Sequence, residues 1–175
     1  MVGTWLGAGQ IVYPSIDGQL LVAQELTISH DGRPFLIHTS KTWEVDSNGE
    51  KIRPRALETG FWRMSGVAQV ELVLAHSTGI AEVWHGDLHV QYKNNDITQD
   101  FEMADVTLRN GSQRPESESI IQTKSAKVVT GGVRIYGMFK NKPDTIGWVY
   151  EMETGETPLT PHASFELSKV VAHES

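Results

Sequence analysis

Two histidines stand where an imidazole can do chemistry. His76 ends a row in which Val70, Leu72 and Leu74 share one side of an alternating segment while Glu71, Val73 and Ala75 take the other, so a period-two pleat directs its ring inward with the apolar row. Such a residue either faces a ligand or is a partly buried histidine donating to a backbone carbonyl near the Ser77-Thr78-Gly79 turn. His162 follows Pro158-Leu159-Thr160-Pro161. Pro161 fixes its own backbone angle and turns Thr160 away from the helical region, which stiffens the approach to the imidazole, and a stiffly held neutral imidazole is a good donor to iron or zinc. Phase argues the other way, because Ala163, Phe165 and Leu167 form the apolar face of the last segment while His162 alternates with Ser164 and Glu166. Either strand twist re-aims this first residue or its ring points outward.

Other constellations say less. His85 and His89 share parity with Val83 and Asp87, a spacing that suits a metal but that solvated strand faces also produce. No Ser-His-Asp context, phosphate-cradling glycine loop or assigned carboxylate pair is present, so hydrolase mechanisms have no support. The stretch Gly3-Thr4-Trp5-Leu6-Gly7-Ala8-Gly9 places small residues at alternate positions, which suggests that a ligand or a crossing strand approaches the backbone closely. Trp5, Tyr13, Trp43, Trp84, Trp148, Tyr150 and Met152 line a cavity or form plain core.

The elements that must position these residues are strands. Alternating segments run from Trp5 to Tyr13, Leu20 to Ser29, Phe35 to Trp43, Leu57 to Met64, Val70 to His76, Ile80 to Val90, Phe101 to Leu108, Ser119 to Val129, Val133 to Phe139, Ile146 to Met152 and His162 to Val171. Turn formers such as Asp17-Gly18, Asp31-Gly32 and Asn48-Gly49 separate several of them. Arg109 to Ser117 lacks periodicity and is expected to be the most mobile loop, and Gly131-Gly132 is expected to break a strand. No amphipathic helix of three turns is visible. The reading is an all-β chain of roughly ten strands, residues 1–175 forming one antiparallel barrel, closed because closure removes both sheet edges. A two-sheet sandwich is the alternative. A barrel of more than about eight strands has room inside for a ligand.

Composition narrows the partners. Fifteen basic residues against 22 acidic ones leave a net charge of −7, and Glu44, Asp46, Glu50 and Glu58 interleave with the basic run from Lys41 to Arg63, so nucleic acid and anionic membranes are disfavoured. With no cysteine, disulfides, thiolate chemistry and cysteine-held clusters are excluded, which suits a cytoplasmic location. No leader pattern opens the chain and no apolar run is long enough to span a bilayer.

The same residues carry a family resemblance. Gly3-Thr4-Trp5-Leu6-Gly7-Ala8-Gly9 matches an opening GxWxGxG, Tyr13-Pro14-Ser15-Ile16 is similar to YPTI, and Gly32-Arg33-Pro34-Phe35-Leu36 and Lys41-Thr42-Trp43 follow in order. Then come Glu58-Thr59-Gly60-Phe61-Trp62-Arg63, the run from Val70 to Gly79, the run from Ser125 to Thr130, and Pro158-Leu159-Thr160-Pro161-His162. Together these blocks resemble the nitrobindin family of heme-binding β-barrels across nearly the whole chain.

The resemblance implies a calycin-type, ten-stranded barrel related in shape to fatty-acid-binding proteins, with ferric heme b near one end. It implies that His162 ligates the iron and that Ser15 and Lys127 assist heme binding, with Gly3, Trp5, Gly7 and Gly9 of the opening motif beside the cofactor; His76, if its ring faces the cavity, is expected to shape access on the distal side. The activity it implies is isomerisation of peroxynitrite to nitrate, with reversible binding of nitric oxide. Partners would thus be small molecules, with a homodimer as the one macromolecular assembly left open. Departures from the family pattern are Ile11 for a glycine, Ser15 for threonine, His38 for a common tyrosine, Ser40 and Lys41 for a Gln-Arg pair, and Ala56 for a common histidine. None removes the axial ligand. The competing functional readings are a non-enzymatic carrier of a fatty acid or other apolar molecule, and a barrel filled by its own side chains.

Overall fold

A computed structural model describes residues 1–12, 18–98 and 101–171. Its strands are β1 (Gly3–Val12), β2 (Gln19–Ser29), β3 (Phe35–Val45), β4 (Lys51–Met64), β5 (Gln69–His76), β6 (Ile80–Tyr92), β7 (Phe101–Gly111), β8 (Ile120–Gln122), β9 (Val129–Phe139), β10 (Lys142–Thr154) and β11 (Thr160–Lys169). Antiparallel pairing runs in chain order from β1 to β7, continues through β9, β10 and β11, and returns to β1, so ten strands close a barrel and the short β8 adds to β6 outside that ring. The expected closed all-β barrel is the observed one. Among the described residues, no helix is long and apolar enough to cross a membrane.

Alternation builds the wall. In β2, Val22, Leu26 and Ile28 are buried with Gln24, and in β5 Val70, Leu72 and Leu74 are buried while Gln69 and Ala75 are exposed. Burying each such aliphatic side chain contributes about 1.5–3 kcal/mol relative to leaving it in water, and because the period is two, a slip of one residue would turn the whole row outward. On β1 the inward row is Trp5, Gly7, Gly9 and Ile11. A Cβ on Gly7 would lie 2.1 Å from the Glu166 carbonyl oxygen, and one on Gly9 would lie 2.2 Å from that of Ser164. The crossing strand, β11, therefore accounts for these glycines.

Two expectations need correction. The segment from Ser119 to Val129 is not one strand: only Ile120–Gln122 pairs, and a turn follows in which the Ala126 amide donates to the Thr123 carbonyl. Gln122 then grips Val129 through both amide atoms, each at 2.8 Å, and so replaces the ladder bonds the strand would have made. Gly131-Gly132 lies inside β9 instead of breaking it. At Gly132 a Cβ would sit 2.7 Å from the Tyr150 ring and 3.0 Å from that of Trp84, so the missing side chain makes room for that aromatic pair. The loop after β7 is tied by hydrogen bonds from Ser112 to Thr130, Gln113 to Asn110 and Arg114 to Gly111.

An aromatic row crosses the barrel interior. Trp62 meets Tyr136 edge to face at 5.1 Å, Tyr136 stacks on Trp148 at 5.5 Å, and Trp148 stacks on Phe165 at 4.6 Å. It separates a cavity at the end where β1 finishes and β11 begins from a second hollow at the end where β2 turns into β3.

Candidate functional site

His162 owes its direction to a bulge. The β10–β11 register passes from Tyr150 opposite Ala163 to Glu151 opposite Pro161, which makes His162 the extra residue of a bulge. A bulge bends the strand and re-aims the side chain it carries, and this resolves the conflict of phase: the ring joins the lining of the cavity with Ala163 and Phe165. The sequence parity is broken at this one position.

The imidazole is held on two sides. Its Nδ1–H donates to the Val12 carbonyl at the end of β1, at 3.0 Å, and its edge meets the Tyr150 ring at 5.4 Å with an interplanar angle of 90°. A proton fixed on Nδ1 makes Nε2 the basic nitrogen of the neutral ring. Burial lowers the His162 pKa from its ordinary value, and the charges of Arg134 and Lys127 push the same way against the Val12 hydrogen bond and Glu58, which raise it. The ring is thereby kept in the state that ligates metal.

Below it lies a cavity of about 150 Å³ walled by Ile11, Val129, Met152, Trp148 and Phe165. Its other wall is ionic. Arg134 grips Glu58 with two hydrogen bonds, Nη2 to Oε1 at 2.7 Å and Nη1 to Oε2 at 3.2 Å. His76 bridges two carboxylates, with Nε2 2.7 Å from Glu82 and Nδ1 3.3 Å from Glu58. Trp84 Nε1 also donates to Glu82, at 3.0 Å. The guanidinium lies between the faces of Tyr150, at 4.5 Å, and Trp84, at 5.0 Å. Burial alone would raise Glu58, but the Arg134 charge and hydrogen bonds outweigh it and bring the carboxyl down to about 2. The Glu58–Arg134 pair is thus ionised and mutually neutralising, as buried charges must be.

The donor set fits a metal that brings most of its own ligands. Among the described residues, no group of three or more His, Cys, Asp or Glu is placed to hold a bare ion, whereas one tautomerically fixed imidazole beside apolar and aromatic walls suits the iron of a macrocycle. The enclosed volume of about 150 Å³ is below the roughly 300 Å³ at which drug-sized ligands are enclosed, so such a group would protrude through the mouth.

The residues singled out from the sequence are not all gathered here. His162 and His76 line this one cavity. Lys127 is exposed on the loop between β8 and β9 at the same end of the barrel. Ser15 lies outside the described residues. Gly7 and Gly9 pack against β11. Gly3 and Trp5 lie toward the opposite end, where Trp5 is buried and its Nε1 donates to the Met1 carbonyl. His85 stands 3.9 Å from Glu71 on the outer face. Glu58, Glu82 and Arg134 were not recognisable as a site from motifs, yet for two of them a signal exists: Glu82 and Arg134 share inward parity with an aromatic residue two positions away, Trp84 and Tyr136 respectively.

Comparison with known proteins follows the same lines. Residues 1–169 match the family model of the THAP4-like, heme-binding β-barrel domain. The chain is 38% identical over 162 residues to a peroxynitrite isomerase of a Nocardioides species, covering 93% of this chain and 84% of that protein. It is 34% identical over 174 residues to a ferric nitrobindin-like protein of Streptomyces griseus, covering 99% and 80% respectively. Its fold superposes on the crystal structure of Rv2717c from M. tuberculosis with a TM-score of 0.79 at 29% identity, covering 97% of this chain and 92% of that one. By sequence and by architecture alike, the chain belongs to the family of THAP4-like, heme-binding β-barrel domains.

Proposed function

We propose that this barrel binds ferric heme b through His162 and isomerises peroxynitrite to nitrate, with nitric oxide as a second small ligand, in the cytoplasm. The observation that carries the reading is the His162–Val12 hydrogen bond: it fixes the proton on Nδ1 and presents a basic Nε2 from a stiff bulge. Relatives named peroxynitrite isomerase supply the reaction class.

When bound, heme supplies the ferric centre at which the O–O bond of peroxynitrite rearranges. The chain's own residues do the rest. His162 would hold the iron through its Nε2 lone pair, and Val12 and Tyr150 fix the ring that offers it. Ile11, Val129, Met152 and Phe165 exclude water from one side of the pocket. Lys127, exposed at the same end of the barrel, would offer a positive charge for a propionate or for the incoming anion. His76, anchored by Glu58 and Glu82, would shape access to the cavity that it lines with His162.

The test is a hemin titration of the purified protein. One equivalent should develop a Soret band that His162→Ala loses and that added imidazole restores. A variant that binds hemin with unchanged spectrum and affinity rejects His162 as the ligand. Rapid mixing of the loaded protein with peroxynitrite should then yield nitrate catalytically, and decay at the rate of free peroxynitrite would reject the isomerase.

A further inference from the structure

A hollow larger than the one that holds His162 lies elsewhere in the barrel. At the opposite end, where the β2–β3 and β4–β5 turns meet, a cavity of about 610 Å³ opens to solvent. A neighbouring hollow of about 220 Å³ shares Leu88 and Val106 with it. The aromatic row closes both from above: Trp62 faces the larger cavity and Tyr136 the smaller, while Trp148 and Phe165, stacked behind them, face the His162 side.

The chemistry of this end is amphipathic. Phe35, Leu36, Trp62, Val70, Leu88 and Val106 give an apolar wall. Among the described residues, the ionisable side chains that line the larger cavity are His30, Arg33 and Arg63, with no carboxylate in the lining. Both guanidinium groups are more than half exposed, Arg33 hydrogen-bonded to Asp31 and Arg63 standing 3.9 Å from Glu71. An apolar hollow within the roughly 300–1,000 Å³ of small-molecule sites, rimmed by positive charge, is complementary to one kind of molecule: an apolar chain with an anionic head.

We infer that the barrel carries a second binding site at this end, for a free single-chain amphiphile with a carboxylate head, its chain lying against Trp62, Leu88 and Val106 and its head between Arg33 and Arg63. The site is separate from the His162 pocket and its occupancy does not depend on heme. A carboxylate there competes with Asp31 for the Arg33 fork, an exchange of one charge-assisted partner for another at an exposed position. The apolar chain supplies the gain in free energy by leaving water.

Calorimetric titration of the full chain with dodecanoate, before and after hemin loading, tests this. We expect one site with the same affinity in both states, and binding weaker by about tenfold or more for dodecanol, which keeps the chain and loses the charge. Arg33→Glu/Arg63→Glu, a change of exposed residues that leaves the core intact, should weaken dodecanoate by about tenfold or more and leave the hemin titration unaltered. Val106→Trp fills the hollow and should abolish dodecanoate binding; the double arginine variant keeps the test decisive if that protein does not fold. His162→Ala should bind dodecanoate as the parent does. Absence of dodecanoate binding, its displacement by hemin, equal binding of dodecanol, or indifference to the arginine variant each overturns the inference. So does co-sedimentation with phosphatidylglycerol vesicles in place of dodecanoate binding, which would make the rim a lipid-surface contact.

Discussion

Tyr150 and His162 meet edge to face at 5.4 Å across two strands whose register skips the very residue that makes the contact. The bulge and the aromatic contact require each other. Without the extra residue, His162 would follow Ser164 and Glu166 to the outer face; without a ring to receive it, the bulged side chain would be free to choose another rotamer. Tyr150 is itself fixed from behind, since Arg134 lies over its face and Trp84 packs edge-on at 5.6 Å.

This arrangement predicts how heme affinity depends on Tyr150. Aromatic pairs contribute about 0.5–1.5 kcal/mol beyond area burial, so Tyr150→Leu should weaken hemin binding about two- to tenfold, while Tyr150→Phe keeps the ring and should stay within about twofold of the parent. Competitive hemin titration measures both. Equal affinities for the leucine and phenylalanine proteins would show that the ring does not hold the ligand.

The β1–β11 seam gives a second expectation. A methyl on Gly7 or Gly9 would strike a backbone carbonyl at 2.1 or 2.2 Å, whereas Gly137 and Gly147 have nothing within 4 Å of theirs. Gly7→Ala and Gly9→Ala should each cost about 1–3 kcal/mol or more by overpacking, and Gly137→Ala and Gly147→Ala should be neutral within about 0.5 kcal/mol. Urea unfolding of the four proteins decides, and a Gly9→Ala protein as stable as the parent would contradict the close approach.

These residues also show what could be read in advance. The barrel was legible because inward and outward residues alternate almost everywhere, and the Val70–Leu72–Leu74–His76 row pointed His76 inward, where it lines the cavity. His162 was not legible from parity, since a bulge is a property of two strands and only the register of β10 on β11 reveals it. The glycines of β1 signalled close approach but not by what. Motif reading also passed over Arg134, Glu58 and Glu82, because their carboxylate and guanidinium groups come from β4, β6 and β9 and meet only in the closed barrel. Ser119 to Val129 misled for a simpler reason: Gln122 satisfies the Val129 backbone with its side chain, so apolar residues there do not need a partner strand.

The Glu58–Arg134 pair makes the third prediction. Both groups are buried, and Glu58→Gln would leave the guanidinium with only Glu82, 3.9 Å away, as a charge partner, a loss of up to about 3–5 kcal/mol for a buried pair. Replacing both partners, Glu58→Leu with Arg134→Met, removes the orphaned charge and should recover much of that loss. If denaturant unfolding finds the double substitution as costly as the sum of the singles, the two side chains are not coupled and the ionic wall has been misread.

Acid should act through His38. This residue is 1% exposed, and its Nδ1 accepts from Trp62 Nε1 at 3.1 Å. Burial drives its pKa down to about 4, with Glu58 opposing and Arg134 and His76 assisting. An unfolded chain takes up that proton near pH 6.5, so the neutral buried ring contributes its full stability above that value and loses it as the pH falls toward 4. The loss should reach about 2 kcal/mol by pH 5 and about 3 kcal/mol by pH 4. Glu58, held at about 2, adds its own loss only below its unfolded value of 4.5. His38→Gln keeps an acceptor for Trp62 and removes the titrating ring, so its stability should fall less steeply than the parent's between pH 7 and pH 5. Parallel stability curves for the two proteins over that interval would mean that burial does not lower the pKa of the His38 ring.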